Sequence, residues 1–236
     1  GNQLRAAERP TTLVDISENG EVVSRFSNTG IVEFYDQASG QALAGFDLGL
    51  QKRSIHRVYP LVDLYALTDD EAQLHFVRSQ HIVNFENNQR QLASSVDFPL
   101  GRDGVAIGET TAFDVHLFDG ELLIATANER ELVLRKYQDV ELGFGLGSAQ
   151  QVTLSAGFSV SDIYIGPRNQ WIYAVGEQGE IEIFGVGSLK RPTRMYRGTL
   201  VEPGLTMTAM TPLLGRYSLV VGTSDGAVTQ YGMYTD

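Results

Sequence analysis

Cysteine is absent from all 236 residues. That excludes a disulfide framework, a thiolate nucleophile and a cysteine-ligated zinc site. It leaves the compartment open, because a chain of this length can bury a core that needs no staples. Cationic side chains are scarce: 18 Lys and Arg stand against 29 Asp and Glu, for a formal charge of −11. A surface of that sign repels a phosphate backbone, so nucleic acid is excluded as the expected partner. An anionic membrane surface is disfavoured in the same way. No run of about eighteen apolar residues exists, so no segment reads as a membrane-spanning helix. No signal-peptide pattern opens the chain, and no long stretch shows helical periodicity. The chain begins with Gly1 rather than Met, and we read it as a piece of something longer.

What is present is a short pattern written five times. It is clearest at Asp162–Gly185. Asp162–Ile165 is an apolar run, Gly166–Asn169 turns, Trp171–Val175 returns, Gln178 and Gly179 turn again, and Ile181–Phe184 runs back. Short runs rich in β-branched and aromatic residues, bounded by Gly, Pro and Asn, are strand and hairpin signals. Thr193–Gly198 supplies a fourth strand. The same order appears at Leu13–Ile16, Val22–Phe26, Ile31–Tyr35 and Ala42–Leu48. It appears again at Val62–Tyr65, Leu74–Val77, Ile82–Phe85 and Ser95–Leu100, then at Phe113–His116, Leu122–Thr126, Leu132–Tyr137 and Gln151–Leu154. The fifth unit offers Met207–Thr211, Ser218–Val221 and Val228–Tyr231, and there the chain ends without a fourth strand.

The central turns, at Asn28, Ser79, Asn128, Gln178 and Asp225, recur roughly every 50 residues. Four-stranded units at such a period predict an all-β chain, a β-propeller of about five repeats with the last incomplete. A single twisted sheet cannot cover its own two apolar faces, so such units stack. That accounts for runs such as Leu122–Ile124, which are apolar throughout and do not alternate. A β-sandwich would show turns every 8–12 residues but no longer period. We expect residues 1–10 to be a tail and residues 11–236 to form one propeller domain, with repeats near 11–50, 58–100, 109–155, 159–200 and 204–236. Either a closed five-blade ring or a partial arc of a larger propeller satisfies this spacing, and the unfinished fifth unit predicts further strands beyond Asp236.

The chemistry-bearing candidates are few. Asp15, Asp63, Asp114 and Asp162 occupy the same place in the first strand of four units, where a ring of carboxylates could hold a cation. Each equally suits a structural role, accepting hydrogen bonds from a neighbouring loop. Gly222–Gly226 matches the G-x-S-x-G nucleophile elbow, but it lies between two strands with no helix after it, and we read it as a Ser-Asp-Gly hairpin turn. Gly143–Gly147 imitates a dinucleotide loop without a βαβ unit around it. His56, His75, His81 and His116 show no metal-ligand spacing, and His75 and His116 fall within strands. Lys52, Arg53, His56 and Arg57 form a basic cluster, read as a solvated loop, with docking of an acidic partner as the alternative. Trp171 is the single tryptophan, expected to be a packing anchor. Its being single excludes the quinone-cofactor propellers, whose repeats carry a recurring Trp. No catalytic residue and no cofactor are expected.

GPRNQWIYAV followed by QGEIEIFGV is similar to the repeat of YVTN and WD-type propellers. The two ends of the chain, SENGEVVSRFSNTGIVEFYDQASGQAL and LLGRYSLVVGTSDGAVTQYGMYTD, resemble the extracytoplasmic domain inserted in a subgroup of phosphate ABC transporter permease subunits of Gram-negative bacteria. The resemblance implies a non-enzymatic interaction or gating domain on the periplasmic side of the inner membrane. Its implied partners are the rest of the permease and the phosphate-binding protein, with membrane contact only through helices outside this chain. An envelope assembly scaffold and a lactonase-like metal-dependent hydrolase are the alternatives. The first would lack an attached permease, and the second would need the Asp series as metal ligands.

Overall fold

The computed structural model describes residues 11–17, 19–49, 52–57, 64–69, 71–86, 89–98, 101–137, 149–213 and 215–232. Its regular structure is strand throughout, save one turn of 3-10 helix at Pro167–Asn169. The described chain divides into two compact units, one up to Gly108 and one from Glu109 on.

The first unit holds two sheets. β1 (Thr11–Ile16), β2 (Val22–Ser27), β3 (Ile31–Asp36) and β4 (Ala42–Asp47) pair antiparallel in chain order. β5 (Lys52–Arg57), β6 (Leu64–Asp69), β7 (Gln73–Glu86) and β8 (Gln89–Asp97) do the same, and a short β9 (Val105–Ala106) adds to β7. Between the two sheets Phe26, Val32, Phe34, Tyr65, Leu67 and Val77 form a closed apolar core, with Phe26 and Tyr65 ring centroids 4.6 Å apart.

The second unit holds three sheets. β10 (Ala112–Phe118), β11 (Glu121–Asn128), β12 (Glu131–Tyr137) and β13 (Gln150–Ser155) form the first. β14 (Val160–Ile165), β15 (Trp171–Gly176), β16 (Glu180–Gly185) and β17 (Thr193–Thr199) form the next. β18 (Met207–Pro212), β19 (Ser218–Thr223) and β20 (Val228–Gly232) make a sheet of three described strands. The middle sheet shows why its strands are apolar throughout. Ile172, Ala174 and Phe184 face a core shared with Leu123, Leu132 and Leu134 of the preceding sheet. Trp171, Tyr173, Ile181 and Ile183 face the opposite way, against Leu219 and Val221 of the following sheet. Both alternate sets are therefore buried.

One hydrogen bond recurs where three of the outer strands, β4, β13 and β17, end. The N–H of Leu48 donates to Gly30 O at 2.9 Å, that of Ala156 to Arg130 O at 2.8 Å, and that of Leu200 to Gly179 O at 2.7 Å. Each donor is the residue with which the chain turns back beneath its own central hairpin, and each is buried.

The second sheet departs from the expected boundaries. The basic run Lys52–Arg57 is strand β5, the first of its sheet, and not a loop. Val62–Tyr65, expected as a first strand, gives way to β6, the second strand, which starts at Leu64. Ser79 is not a turn: it lies buried within β7, opposite Val96. Polar residues there mark the point where β7 passes the end of β6 and continues paired to β8 alone, out to Glu86 opposite Gln89. The central turn of this sheet falls between Asp69 and Gln73, and its repeat begins at β5 instead of residue 58.

Ser79→Pro separates strand from turn. Within β7 proline removes a ladder hydrogen bond and its ring collides with the paired strand, so we expect a loss of about 2–3 kcal/mol in urea unfolding. Wild-type stability in that variant would restore the turn.

Candidate functional site

The second unit is held together at its polar centre by Asp114 of β10, which is fully buried. One carboxylate oxygen accepts the N–H of Ile165, on β14 of the next sheet, at 2.7 Å. The same carboxylate is paired with the buried guanidinium of Arg216, from the turn between β18 and β19. Arg216 also donates to Ile165 O at 2.9 Å, and its own carbonyl accepts from the Tyr173 hydroxyl at 3.4 Å. Three sheets thus meet at one ion pair. Gly215 and Arg216 both take positive φ, 82° and 61°, which turns the arginine inward. The sequence marks Asp114 but gives no sign of Arg216, whose neighbours Leu213 and Tyr217 look like ordinary strand flanks.

The other members of the Asp series have different surroundings. Asp15 accepts from the Tyr65 hydroxyl at 3.0 Å, within the first unit. Asp162 accepts from Ser161 Oγ at 3.2 Å. Asp63 lies outside the described residues, and the first strand of its sheet is β5. Among the described residues, no three His, Cys, Asp or Glu side chains converge as metal ligands would.

The histidines are engaged in the fold. His75 sits with Nε2 2.5 Å from Asp69 Oδ2 and Nδ1 2.9 Å from Arg102 O. Burial works against the Asp69 carboxylate, but the His75 hydrogen bond and the N–H groups of Gln73 and Glu71 outweigh it and hold its pKa low. His116 donates from Nδ1 to Asn169 Oδ1 at 2.7 Å, and Asn169 Nδ2 donates to Glu121 O at 2.8 Å. Burial pushes the pKa of His116 down, against the pull of Asn169, and burial does the same to His81. His56 falls on β5.

The G-x-S-x-G match is a hairpin turn joining β19 to β20. Ser224 Oγ accepts the N–H of Thr206 at 3.1 Å, and Asp225 accepts from Thr223 Oγ1 at 2.6 Å and from Ala227 N at 3.2 Å. Gly226 supplies the φ of 86° that closes the turn. With its oxygen holding a loop and a strand following it, Ser224 has no nucleophile geometry. Gly143–Gly147 lies outside the described residues.

A groove of about 380 Å³ lies open between the outer strands of the last two sheets. Tyr173, Ile181, Ile183 and Leu219 floor it, and Tyr196, Tyr217 and Tyr231 line its sides. Tyr217 meets Trp171 edge-on at 6.4 Å, so the single tryptophan acts as the packing anchor beneath the groove. Tyr173 is held neutral, its pKa pushed up to about 12 by burial. Tyr231 is fixed by donating to Leu200 O at 2.5 Å, while Tyr196 and Tyr217 stand about half exposed. Rigid, amphipathic tyrosines at an open apolar groove are the composition of a protein-contact surface.

No protein-family model and no curated protein sequence matches the chain. Among solved structures, the crystal structure of the Myceliophteria thermophila Cps50 (Swd1) beta-propeller domain is similar, with 13% identity, a TM-score of 0.56, and coverage of 98% of this chain and 72% of that one. The fold is a β-propeller. At that identity the likeness speaks to fold alone, and the five sheets are its blades, each four-stranded at its core except the last, which has three described strands.

Asp114→Asn leaves the Arg216 guanidinium buried without its counter-charge, and we expect a loss of about 3–5 kcal/mol in chemical denaturation. Added calcium should shift the melting temperature of wild type and variant equally; a shift confined to wild type would restore the cation ring.

The lowered histidine pKa values set the pH response. An unfolded histidine titrates near 6.5, so below that pH the unfolded chain binds more protons than the blades do. The stability held by neutral His116 and His81 is full above 6.5 and is lost as pH falls through the lower folded values. Asp69 acts in a separate window: its contribution is full above the ordinary carboxylate value of 3.8 and is lost as pH falls through its depressed one. Urea midpoints should therefore drop between pH 7 and 5, and His81→Gln combined with His116→Gln should flatten that segment. An unchanged slope in the double variant would refute the assignment.

Proposed function

We propose that this propeller is a non-catalytic protein-interaction domain, and that it serves on the periplasmic side of a phosphate ABC transporter permease subunit, docking the substrate-binding protein that delivers phosphate. The observation that carries the interaction role is the tyrosine-lined groove between blades four and five, an open apolar surface bordered by exposed strands. Asp114, His75, His116 and Ser224, the side chains that catalysis would recruit, are each spent on holding blades or turns together. The propeller fold itself favours interaction work only by analogy.

The assignment to a phosphate permease rests on the resemblance of the chain's two ends to that family's extracytoplasmic insert. The charge of −11 fits a domain that receives a loaded binding protein better than one that captures phosphate directly. Among the described residues no helix is long and apolar enough to cross a membrane, so any membrane attachment would come through other parts of a permease.

The chain should bind the substrate-binding protein encoded with the permease in surface plasmon resonance, and Tyr196→Ala or Tyr217→Ala should each weaken that binding about tenfold. Inorganic phosphate alone should give no heat in calorimetry. Tight phosphate binding by the isolated chain, or failure of the wild type to dock the binding protein, would overturn the role.

A further inference from the structure

Strand β17 is the outer edge of blade four, paired within the described residues to β16 alone. It is also the most basic stretch of an acidic chain. Lys190, Arg191, Arg194 and Arg197 fall within eight residues, and no Asp or Glu occurs from Leu189 to Val201. Consecutive strand residues point to opposite faces, so Arg194 and Arg197, three apart, would ordinarily diverge. They do not. The register slips by one between Ile183 and Phe184 of β16, so that Tyr196 opposes Ile183 and Arg194 opposes Phe184, with Met195 as the extra, bulged residue. The bulge brings both arginines to the face that carries Glu182.

Glu182 is completely buried, and both of its oxygens are satisfied. Oε2 accepts the N–H of Gly157 at 3.2 Å, while Oε1 lies 3.1 Å from Arg194 Nη1 and 3.5 Å from Arg197 Nε. Glycine at position 157 leaves room for this cluster, since a Cβ there would come within 2.9 Å of Arg197 Cζ and of Glu182 Oε1 and displace them. One carboxylate therefore orients two guanidiniums whose side chains are 50% and 61% exposed. The cluster keeps one net positive charge, with outward N–H groups set in a fork geometry that matches a second carboxylate. Met195 and Tyr196, both about half exposed, lie between the two arginines in sequence.

We propose that Arg194 and Arg197, held by Glu182, form a receptor for the carboxylates of an acidic segment of a partner protein, with Met195 contacting an apolar neighbour in that segment. Charge complementarity selects this occupant: the strip is a cationic stretch on a chain whose overall field repels polyanions of high charge density such as nucleic acid or an anionic bilayer. The site depends on the interaction role above for its biological partner, but not for its chemistry.

The test is fluorescence anisotropy on the whole chain at low salt, with a fluorescein-labelled dodecapeptide of alternating Asp and Phe and a Lys-Phe peptide as control. We expect saturable binding of the acidic peptide only. Arg194→Gln and Arg197→Gln should each weaken it about fivefold or more, and Arg191→Gln, on the exposed loop, by less. Melting temperatures show whether each variant is folded; should either β17 variant fail to fold, salt dependence of the wild type and the Arg191→Gln affinity still decide the matter. Equal affinity across all variants, or stronger binding to phosphatidylglycerol vesicles or a single-stranded oligonucleotide than to the peptide, overturns the proposal. If the substrate-binding protein docks with wild type and both β17 variants alike, the interaction role stands and this site falls as its docking point. If arginine-dependent peptide binding appears but no binding protein docks, the site stands and the permease role falls.

Discussion

A twisted sheet has two faces, and in the β14–β17 sheet both are covered by apolar neighbours. That constraint governs nearly everything else. It makes Ile172 and Ala174 pack one way and Trp171, Tyr173 and Val175 the other, so that β15 has no solvent face at all. It also forces polar groups that enter the stack to find protein partners, because water cannot reach them. The Asp114–Arg216 pair and the His116–Asn169–Glu121 chain are the result. These groups stabilise as locks between blades: each is worth little when intact against an apolar alternative, and costly when half removed.

Repeat order, the four-stranded unit and the three described strands of the last sheet were legible in the sequence because they follow from that same burial. Strands buried on both faces are apolar throughout, and turns must carry Gly, Asn or Asp. The same rule explains the failures. Lys52–Arg57 carries three cationic side chains and a histidine, so nothing in its composition reports a strand, though its backbone pairs fully with β6. β7 is buried only as far as Ser79; beyond it the strand runs on as a two-stranded ribbon with β8, where Ile82 and Phe85 are exposed. Burial and pairing part company there, and a pattern built on burial sees a turn. Misplacing that turn also carried Asp63 into a first strand that in fact begins eleven residues earlier, at Lys52.

The candidate site was less legible than the fold. Asp114 was visible as one of a series, yet the series is not a ring: Asp15 meets a tyrosine hydroxyl, Asp114 an arginine and a backbone N–H, Asp162 a serine. A shared position along the first strand does not entail a shared partner: those of Asp15 and Asp114 come from other sheets, that of Asp162 from its own strand. Arg216 was invisible for that reason. Its role depends on two consecutive positive-φ residues, and only the glycine of the pair signals its conformation in the sequence.

Function is then to be sought where the constraint is released. Inner strands are committed on both faces, so variation there is limited by packing and by the polar locks. Outer strands have one edge and part of one face free. That is where Tyr196 of the groove and the arginines of β17 stand, on opposite faces of the same strand: Tyr196 toward the groove, Arg194 and Arg197 toward Glu182. A single bulge at Met195 produces that separation. Without it the strand alternation would send one arginine into the tyrosine face, whose described lining holds no carboxylate. The bulge also bends the edge away from further strand pairing, which favours recognition through side chains over addition of another strand. A one-residue irregularity in an outer strand thus turns a generic blade edge into two chemically distinct surfaces.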